Sequence, residues 1–430
     1  MRTGAQPDKS HIPALDGIRG LAIILVLVGH LADHFKPGNA ITTAVQRILF
    51  AGWTGVDLFF VLSGFLITGI LWDAKADTHY FLNFYARRTV RIFPIYYFTL
   101  ALIFLVLPLL LPWLGHLTGR LAEVGREQIG WFVTTRAYWG WYVTYFVDFL
   151  VAWKGFKVAI PGHFWSLAVE EHFYLVWPFL VYFLRFRALV AASVALVAGA
   201  LMLRVALYHY FSQTAIYVLT PCRMDGLALG ALIALLARSP GGLRKLAPLA
   251  LRVLAVTAVI WAGVMLGVTH EWSQYGPIAQ TLGYTLTIFF YGSFLVVALT
   301  QARVGAWLSG KTLRFFGKYS YALYIFHVFA FLFFARFFAF GDVSRYSMIH
   351  TFSPGASSVA ERGLWLTLDA LLYILLAVGV SVLLALLSWN FLEQPCLRLK
   401  RYFPMKTKPG PAAAPSAPII SPADLSAKNL

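Results

Sequence analysis

Apolar residues run through the chain in blocks of about twenty, separated by short clusters of basic, glycine and proline positions. A helix crosses the hydrocarbon core of a bilayer in ~20 residues. The pattern therefore predicts helices centred in Leu15–His34, Trp53–Trp72, Ile92–Leu114, Ile129–Trp153, Phe164–Leu184, Ala188–Tyr208, Leu219–Ala237, Pro248–Val268, Ala279–Thr300, Phe315–Phe338 and Leu364–Phe391. The first block is long, carries Asp16, Arg19 and His30, and lacks a small-residue cleavage pattern, so it reads as a retained helix rather than a leader.

Basic residues orient these blocks, because they collect on the cytoplasmic side. Lys75, Arg87, Arg88 and Arg91 form one such cluster, and Arg185 with Arg187 a second. Others hold Arg238, Arg244, Lys245 and Arg252, then Arg303, Lys311, Arg314 and Lys318, and finally Arg398, Lys400 and Arg401. All fall on one side only if one candidate does not cross. Ile129–Trp153 is the odd block, with Thr134, Thr135, Arg136, Thr144 and Asp148 among many Trp and Tyr. Such a mixture suits a segment lying at, or dipping into, the outer interface. The expectation is an all-α polytopic transmembrane bundle of about ten spans, plus this interfacial or re-entrant segment, with both termini cytoplasmic. Residues 1–11 form a short leading segment, 12–397 the membrane domain, and 398–430 a basic, then Pro/Ala-rich, disordered tail.

Composition agrees. The chain is 60% apolar and 12% charged, with mean hydropathy +0.71. That leaves too little polar surface for a soluble enzyme and too much apolar surface for a disordered chain. The net charge of +17 belongs to loops beside anionic lipid, not to nucleic-acid binding. Cys222 and Cys396 suggest neither a disulfide framework nor a metal site.

Ionisable groups inside spans are costly and mark function. Arg19 and His30 point about 20° apart on one helix and lie ~16 Å apart along it. His30 is either a structural histidine bonded to a neighbouring helix or a base. Glu170 and Glu171 follow the outer start of their helix by roughly 9–10 Å, which places them near the depth of His30. A His–Glu pair is suited to taking a proton from a hydroxyl. Asp57, Arg223 and Asp225 are expected at similar depth, with Tyr208 or His209 completing an outward vestibule. On the inner side Arg88 and Arg91 share a face while Arg87 points elsewhere. Paired guanidinium forks fit phosphate, though they also serve as topology signals. His327 either lines the same cavity or is a packed, bonded histidine, and Glu393 suits a structural bond to a cytoplasmic arginine. Ser63 lacks the first glycine of a nucleophile elbow, and Glu170-Glu171-His172 lacks the second histidine of a zinc motif.

In order along the chain stand Leu15-Asp-Gly-Ile-Arg19…His30, Gly55-Val-Asp57-Leu-Phe-Phe-Val-Leu-Ser63-Gly, Arg87-Arg88-Thr-Val-Arg91 and Phe164-Trp-Ser-Leu-Ala-Val-Glu170-Glu171-His172-Phe-Tyr-Leu. Arg223-Met-Asp225-Gly, Tyr319-Ser-Tyr…His327 and Glu393-Gln-Pro follow. From about Ile12 to Pro395 this series resembles the acyltransferase-3 family of integral membrane O-acyltransferases. The resemblance implies transfer of an acyl group, by default acetyl from cytosolic acetyl-CoA, to a hydroxyl of an envelope glycan or similar acceptor at a bacterial inner membrane. It implies a catalytic role for His30 and donor binding by Arg19, Arg88 and Arg91. Glu170 or Glu171 is expected to orient the imidazole. His172 stands where relatives commonly have Gln, a departure expected to add a second base. With no room for a fused extracytoplasmic domain after Pro395, a stand-alone form is expected. The rival reading is a transporter or flippase, which also buries charge in a bundle.

Overall fold

Backbone N–H and C=O groups find no partner in lipid, so an apolar chain of this kind satisfies them within helices. A computed structural model shows this throughout. It describes residues 12–32, 46, 48–114, 134–157, 161–264, 273–335 and 359–405. The expected leading segment 1–11, the tail beyond 405 and residues 129–133 of the interfacial block lie outside the described residues.

The first helix is α1 (Pro13–Ala32), followed by α2 (Gly55–Asp73) and α3 (Tyr80–Ala101), the last continued through a π turn into Leu107–Leu114. Two short helices, α4 (Trp139–Val143) and α5 (Val147–Lys154), precede α6 (Trp165–Phe183) and α7 (Phe186–Leu207). Then come α8 (Gln213–Val218), α9 (Thr220–Leu236), α10 (Gly242–Gly263), α11 (Tyr284–Thr300), α12 (Ala302–Leu308), α13 (Lys311–Ala335) and α14 (Val359–Ser388).

Among the described residues nine helices are long and apolar enough to cross a membrane. Helix α6, with 19 residues, has the length of the tenth expected span, but Glu170, Glu171 and His172 make it less apolar. The aromatic block between α3 and α6 does not cross. Its helices α4 and α5 are held on α3 by Tyr96, whose hydroxyl donates to the Tyr142 carbonyl (2.8 Å), and by Tyr97, which donates to Val143 (2.9 Å). Tyr145 stacks on Tyr96 with ring centroids 4.2 Å apart.

Helices α2 and α9 form the centre and pack against each other; α7 and α11 flank α9, and α1 lies between α2 and α13. Two crossings depend on missing side chains. A Cβ at Gly64 would meet the Leu227 carbonyl, and one at Gly230 the Val61 carbonyl, so α2 and α9 approach backbone to backbone. Gly20 and Gly317 do the same for α1 and α13, against Leu313 and Asp16. Small residues drive helix association in lipid because packing replaces the hydrophobic effect there.

These crossings give a contrast to measure. Gly64→Val and Gly317→Val should each destabilise the detergent-solubilised protein by about 1–3 kcal/mol or more, the cost of overpacking a close contact. Gly199→Ala and Gly379→Ala, where nothing lies within 4 Å of the added carbon, should leave the thermal transition unchanged.

Candidate active site: two cavities along the first helix

Two cavities line up beside α1. The first is rich in arginine and counts about 850 Å³ including its mouth. Arg19 enters from α1, Ser63 from α2, Arg88 and Arg91 from α3, Glu170, Glu171 and Tyr174 from α6, and Ser320 and Tyr321 from α13. The i, i+3 spacing of Arg88 and Arg91 puts both on the cavity face, while Arg87 turns away and donates to the Phe403 carbonyl (3.1 Å). Arg19 pairs with Asp16 one turn earlier (3.0 Å), and the Arg88 guanidinium lies 4.7 Å from the Tyr174 ring centroid. Glu170 is held at both oxygens, accepting from Ser63 Oγ and from the Tyr174 hydroxyl at 2.9 Å each.

Below this cavity the chain returns after α14. Asn83 Nδ2 donates to the Pro404 carbonyl (2.8 Å), which with the Arg87 bond pins this segment to α3. Lys400 is thereby brought within electrostatic reach of Arg19, Arg87, Arg88 and Arg91. The start of α1 and the 398–404 segment thus occupy the same end of the bundle. Glu393 accepts from Ser388 Oγ (3.3 Å) and lies within electrostatic reach of Arg91.

The second cavity, about 1470 Å³ with its mouth, contains His30 and Gly29 of α1, Trp53, His163, Trp165, Tyr217, Gln274 and Tyr275, with Lys157. No carboxylate is among its described lining residues. His30 Nδ1 lies 2.9 Å from the Val26 carbonyl. A carbonyl only accepts, so Nδ1 carries the hydrogen and Nε2 keeps the lone pair. The two cavities share Val56 and Tyr324 as a common wall. Tyr324 is fixed there, donating to the His163 carbonyl (2.9 Å) and meeting Ser166 Oγ at 2.5 Å.

This arrangement corrects three expectations. Glu170 and Glu171 lie in the arginine cavity and not beside His30. The helix that carries them starts already buried: Phe164 is fully buried, and His163 Nε2 bonds the Ile325 carbonyl (3.3 Å) in the middle of α13. Counting depth from the helix start therefore set the carboxylates too close to the outer face. Second, Asp57, Arg223 and Asp225 do not line the vestibule. Arg223 Nη2 donates to Asp57 Oδ1 (2.6 Å), and Arg204 lies 2.7 Å from Asp225, with all four side chains buried. Tyr284 packs against the Arg223 guanidinium at 4.3 Å. Tyr208 and His209 meet edge to face and line neither cavity. Third, His172 is no second base of the site: its Nδ1 bonds Thr220 Oγ1 (2.7 Å), which itself donates to Asp148 (2.7 Å).

Sequence reading passed over His163, Tyr324, Ser63 and Lys400 as site residues. Ser63 stands out in the sequence only as an incomplete nucleophile elbow, whereas its hydroxyl donates to the Glu170 carboxylate. His163 could have been found from its place two residues before the start of α6.

An all-helical bundle with half-buried guanidiniums at one end of a span and an imidazole at the other defines an integral membrane protein with polar cavities among its helices. The sequence model of the acyltransferase-3 family, described as an acyltransferase domain, matches residues 12–389, so the chain belongs to that family. It is similar to the O-acetyltransferase OatA of Staphylococcus aureus (strain NCTC 8325 / PS 47), 27% identical over 358 residues, covering 79% of this chain and 54% of the relative. It is also similar to the peptidoglycan O-acetyltransferase OatA of Listeria monocytogenes, 25% identical over 440 residues, covering 95% of this chain and 61% of the relative. The chain thus spans little more than half the length of these curated relatives. No solved structure matches it.

The buried ion pairs carry a prediction of their own. Asp57→Leu strands Arg223 in the core and should cost about 3–5 kcal/mol in thermal or denaturant unfolding. Asp57→Leu combined with Arg223→Met removes both charges and should recover most of that loss.

Proposed function

We propose that this protein is an O-acyltransferase that carries an acetyl group from cytosolic acetyl-CoA across the membrane to a hydroxyl of an envelope glycan. The single observation that supports this most is the series arrangement of an arginine cavity and a histidine cavity beside one helix, with Val56 and Tyr324 between them. In this reading the arginine end, and with it both chain termini, faces the cytosol. The phosphates of the donor rest on Arg88 and Arg91, with Arg19 and Lys400 adding positive charge. The pantetheine arm follows α1 past Tyr324 and presents the thioester to the second cavity, where Trp53, Trp165 and Tyr275 offer flat faces to a sugar ring.

His30 Nε2 then takes the proton of the acceptor hydroxyl as its oxygen attacks the thioester carbonyl. The C–S bond breaks, and the imidazolium returns the proton to the leaving sulfur, so donor and acceptor exchange one acetyl group for one hydrogen. Glu170, held by Ser63 and Tyr174, acts at the donor end: with Glu171 it offsets the repulsion among three guanidiniums before the phosphates arrive. The similarity to a peptidoglycan O-acetyltransferase makes a cell-wall glycan the first acceptor to try.

Purified protein supplied with radiolabelled acetyl-CoA and envelope glycan should label the glycan. Movement of glycan across vesicles with no label incorporated would instead establish the transporter reading. His30→Ala should reduce labelling at least ~100-fold, the scale of a lost general base, with the protein still folded in the membrane. Arg88→Ala with Arg91→Ala should raise KM for acetyl-CoA by about tenfold or more, the scale of lost charge-assisted phosphate contacts. KM for the glycan should stay within twofold, and an unchanged donor KM would reduce the pair to a topology signal.

A further inference from the structure

His30 is the most exposed member of a cluster of three histidines, of which the reaction above uses this one alone. His327, from the middle of α13, is fully buried and lies 4.8 Å from His30 between ring centroids, edge against face at 79°. His163 lies 5.3 Å from His327 at 73°, and Phe331 closes a further side of the His327 ring at 5.7 Å.

The hydrogen bonds settle the tautomers. His327 Nδ1 lies 2.8 Å from the Tyr324 carbonyl and 3.1 Å from that of Leu323, so this nitrogen holds the hydrogen and Nε2 is a bare lone pair. His163 Nε2 is committed to Ile325, leaving Nδ1 as its lone pair. Both His327 Nε2 and His163 Nδ1 are buried and have no hydrogen-bond partner. Leaving such a group unsatisfied is costly, and a phenyl ring would fill the space without that cost. Among the described residues, no group of three or more His, Cys, Asp or Glu could hold a metal ion. What the cluster offers is lone pairs beside one imidazole at the moment it becomes charged.

We infer that His327, backed by His163, is the positioning residue of the histidine cavity, its free Nε2 stabilising the imidazolium that forms on His30. This rests on the proposed transfer to a hydroxyl. A carboxylate usually stabilises such an imidazolium; here both glutamates lie in the other cavity and neutral imidazoles take that place. Beyond the hydrogen each neutral ring carries, three rings this close take up one added proton between them, because a second charge a few ångströms away in low dielectric is strongly disfavoured. The proton leaves the acceptor oxygen, resides on the cluster at His30, and departs on the thiol of the released donor; no further reactant is needed.

The test compares full-length protein in proteoliposomes with labelled acetyl-CoA and glycan. His327→Phe keeps the ring packing and removes the lone pair; kcat should fall about 100-fold, on the scale of general-base losses, with both KM values within twofold. His327→Gln restores an acceptor oxygen and should recover most of kcat. Should His327→Phe fail to fold, His163→Leu and His163→Asn give the same comparison one ring further out, with a smaller fall for Leu and recovery for Asn. Wild-type kcat in His327→Phe, or equal losses in Phe and Gln with both KM values raised, would overturn the inference while leaving the acyltransferase reading in place. Absence of label with the wild-type protein would overturn that reading itself, and the inference with it.

Discussion

A charge placed among apolar helices must find an opposite charge, a hydrogen-bonding cage or water, and this protein uses its guanidiniums in two different ways. Arg204 and Arg223 are fully buried and ion-paired, to Asp225 and Asp57. Arg204 also donates to the Cys222 carbonyl (2.5 Å) and to Thr285 (2.6 Å). Arg88 and Arg91 line an open cavity, and among the described residues neither makes an ion pair. The first pair of arginines is ion-paired within the fold and ties α2, α7, α9 and α11 together. The second pair has its donor groups turned towards space. A buried ion pair is weak evidence for net stability, but it fixes which helices adjoin, and here it sets the frame on which the path is built.

That frame explains why α1 can serve both cavities. It lies between α2 and α13 at distances that glycine alone permits: Gly29 meets Gly52, Gly20 meets Leu313, and Gly317 meets Asp16. With the backbones this close, a side chain leaving α1 on the open face projects directly into a cavity. Arg19 and His30, eleven residues apart, do so at opposite ends of one face. The wall between them is thin: Tyr324 and Val56 border both spaces. A hydroxyl locked to His163 and Ser166 holds Tyr324 in that wall.

The spans were legible because length and hydropathy alone decide them, and the face shared by Arg88 and Arg91 followed from helix periodicity. The aromatic block containing Trp139, Trp141 and Trp153 could be recognised as non-spanning from its polar content. Depth was the failure. Glu170 was placed by counting from the start of its helix, on the assumption that the helix begins at the membrane surface, whereas Phe164 and Trp165 are already in the core. Partner choice was equally hidden. Arg223 and Asp225 are neighbours in sequence, yet each pairs with a residue from a different helix, and Arg204 drew no notice within its apolar block. Pattern along one helix gives its faces; which helix lies opposite is decided by packing, through contacts such as Gly64 on Leu227 that a linear reading does not reveal.

Separating carboxylates from the imidazoles has a chemical consequence. Glu170 and Glu171 stand beside three arginines, where carboxylates counter the mutual repulsion of the guanidiniums. A carboxylate beside His30 would favour the charged imidazole at rest, and an imidazolium has no lone pair with which to take a proton. The second cavity has no carboxylate among its described lining residues, and its two histidines, His30 and His163, with His327 packed beside them, bond main-chain carbonyls rather than charged groups. The same sorting gathers the arginines at one end of α1 and the imidazoles at the other, and one helix, with Arg19 at its start and His30 near its finish, joins the two environments.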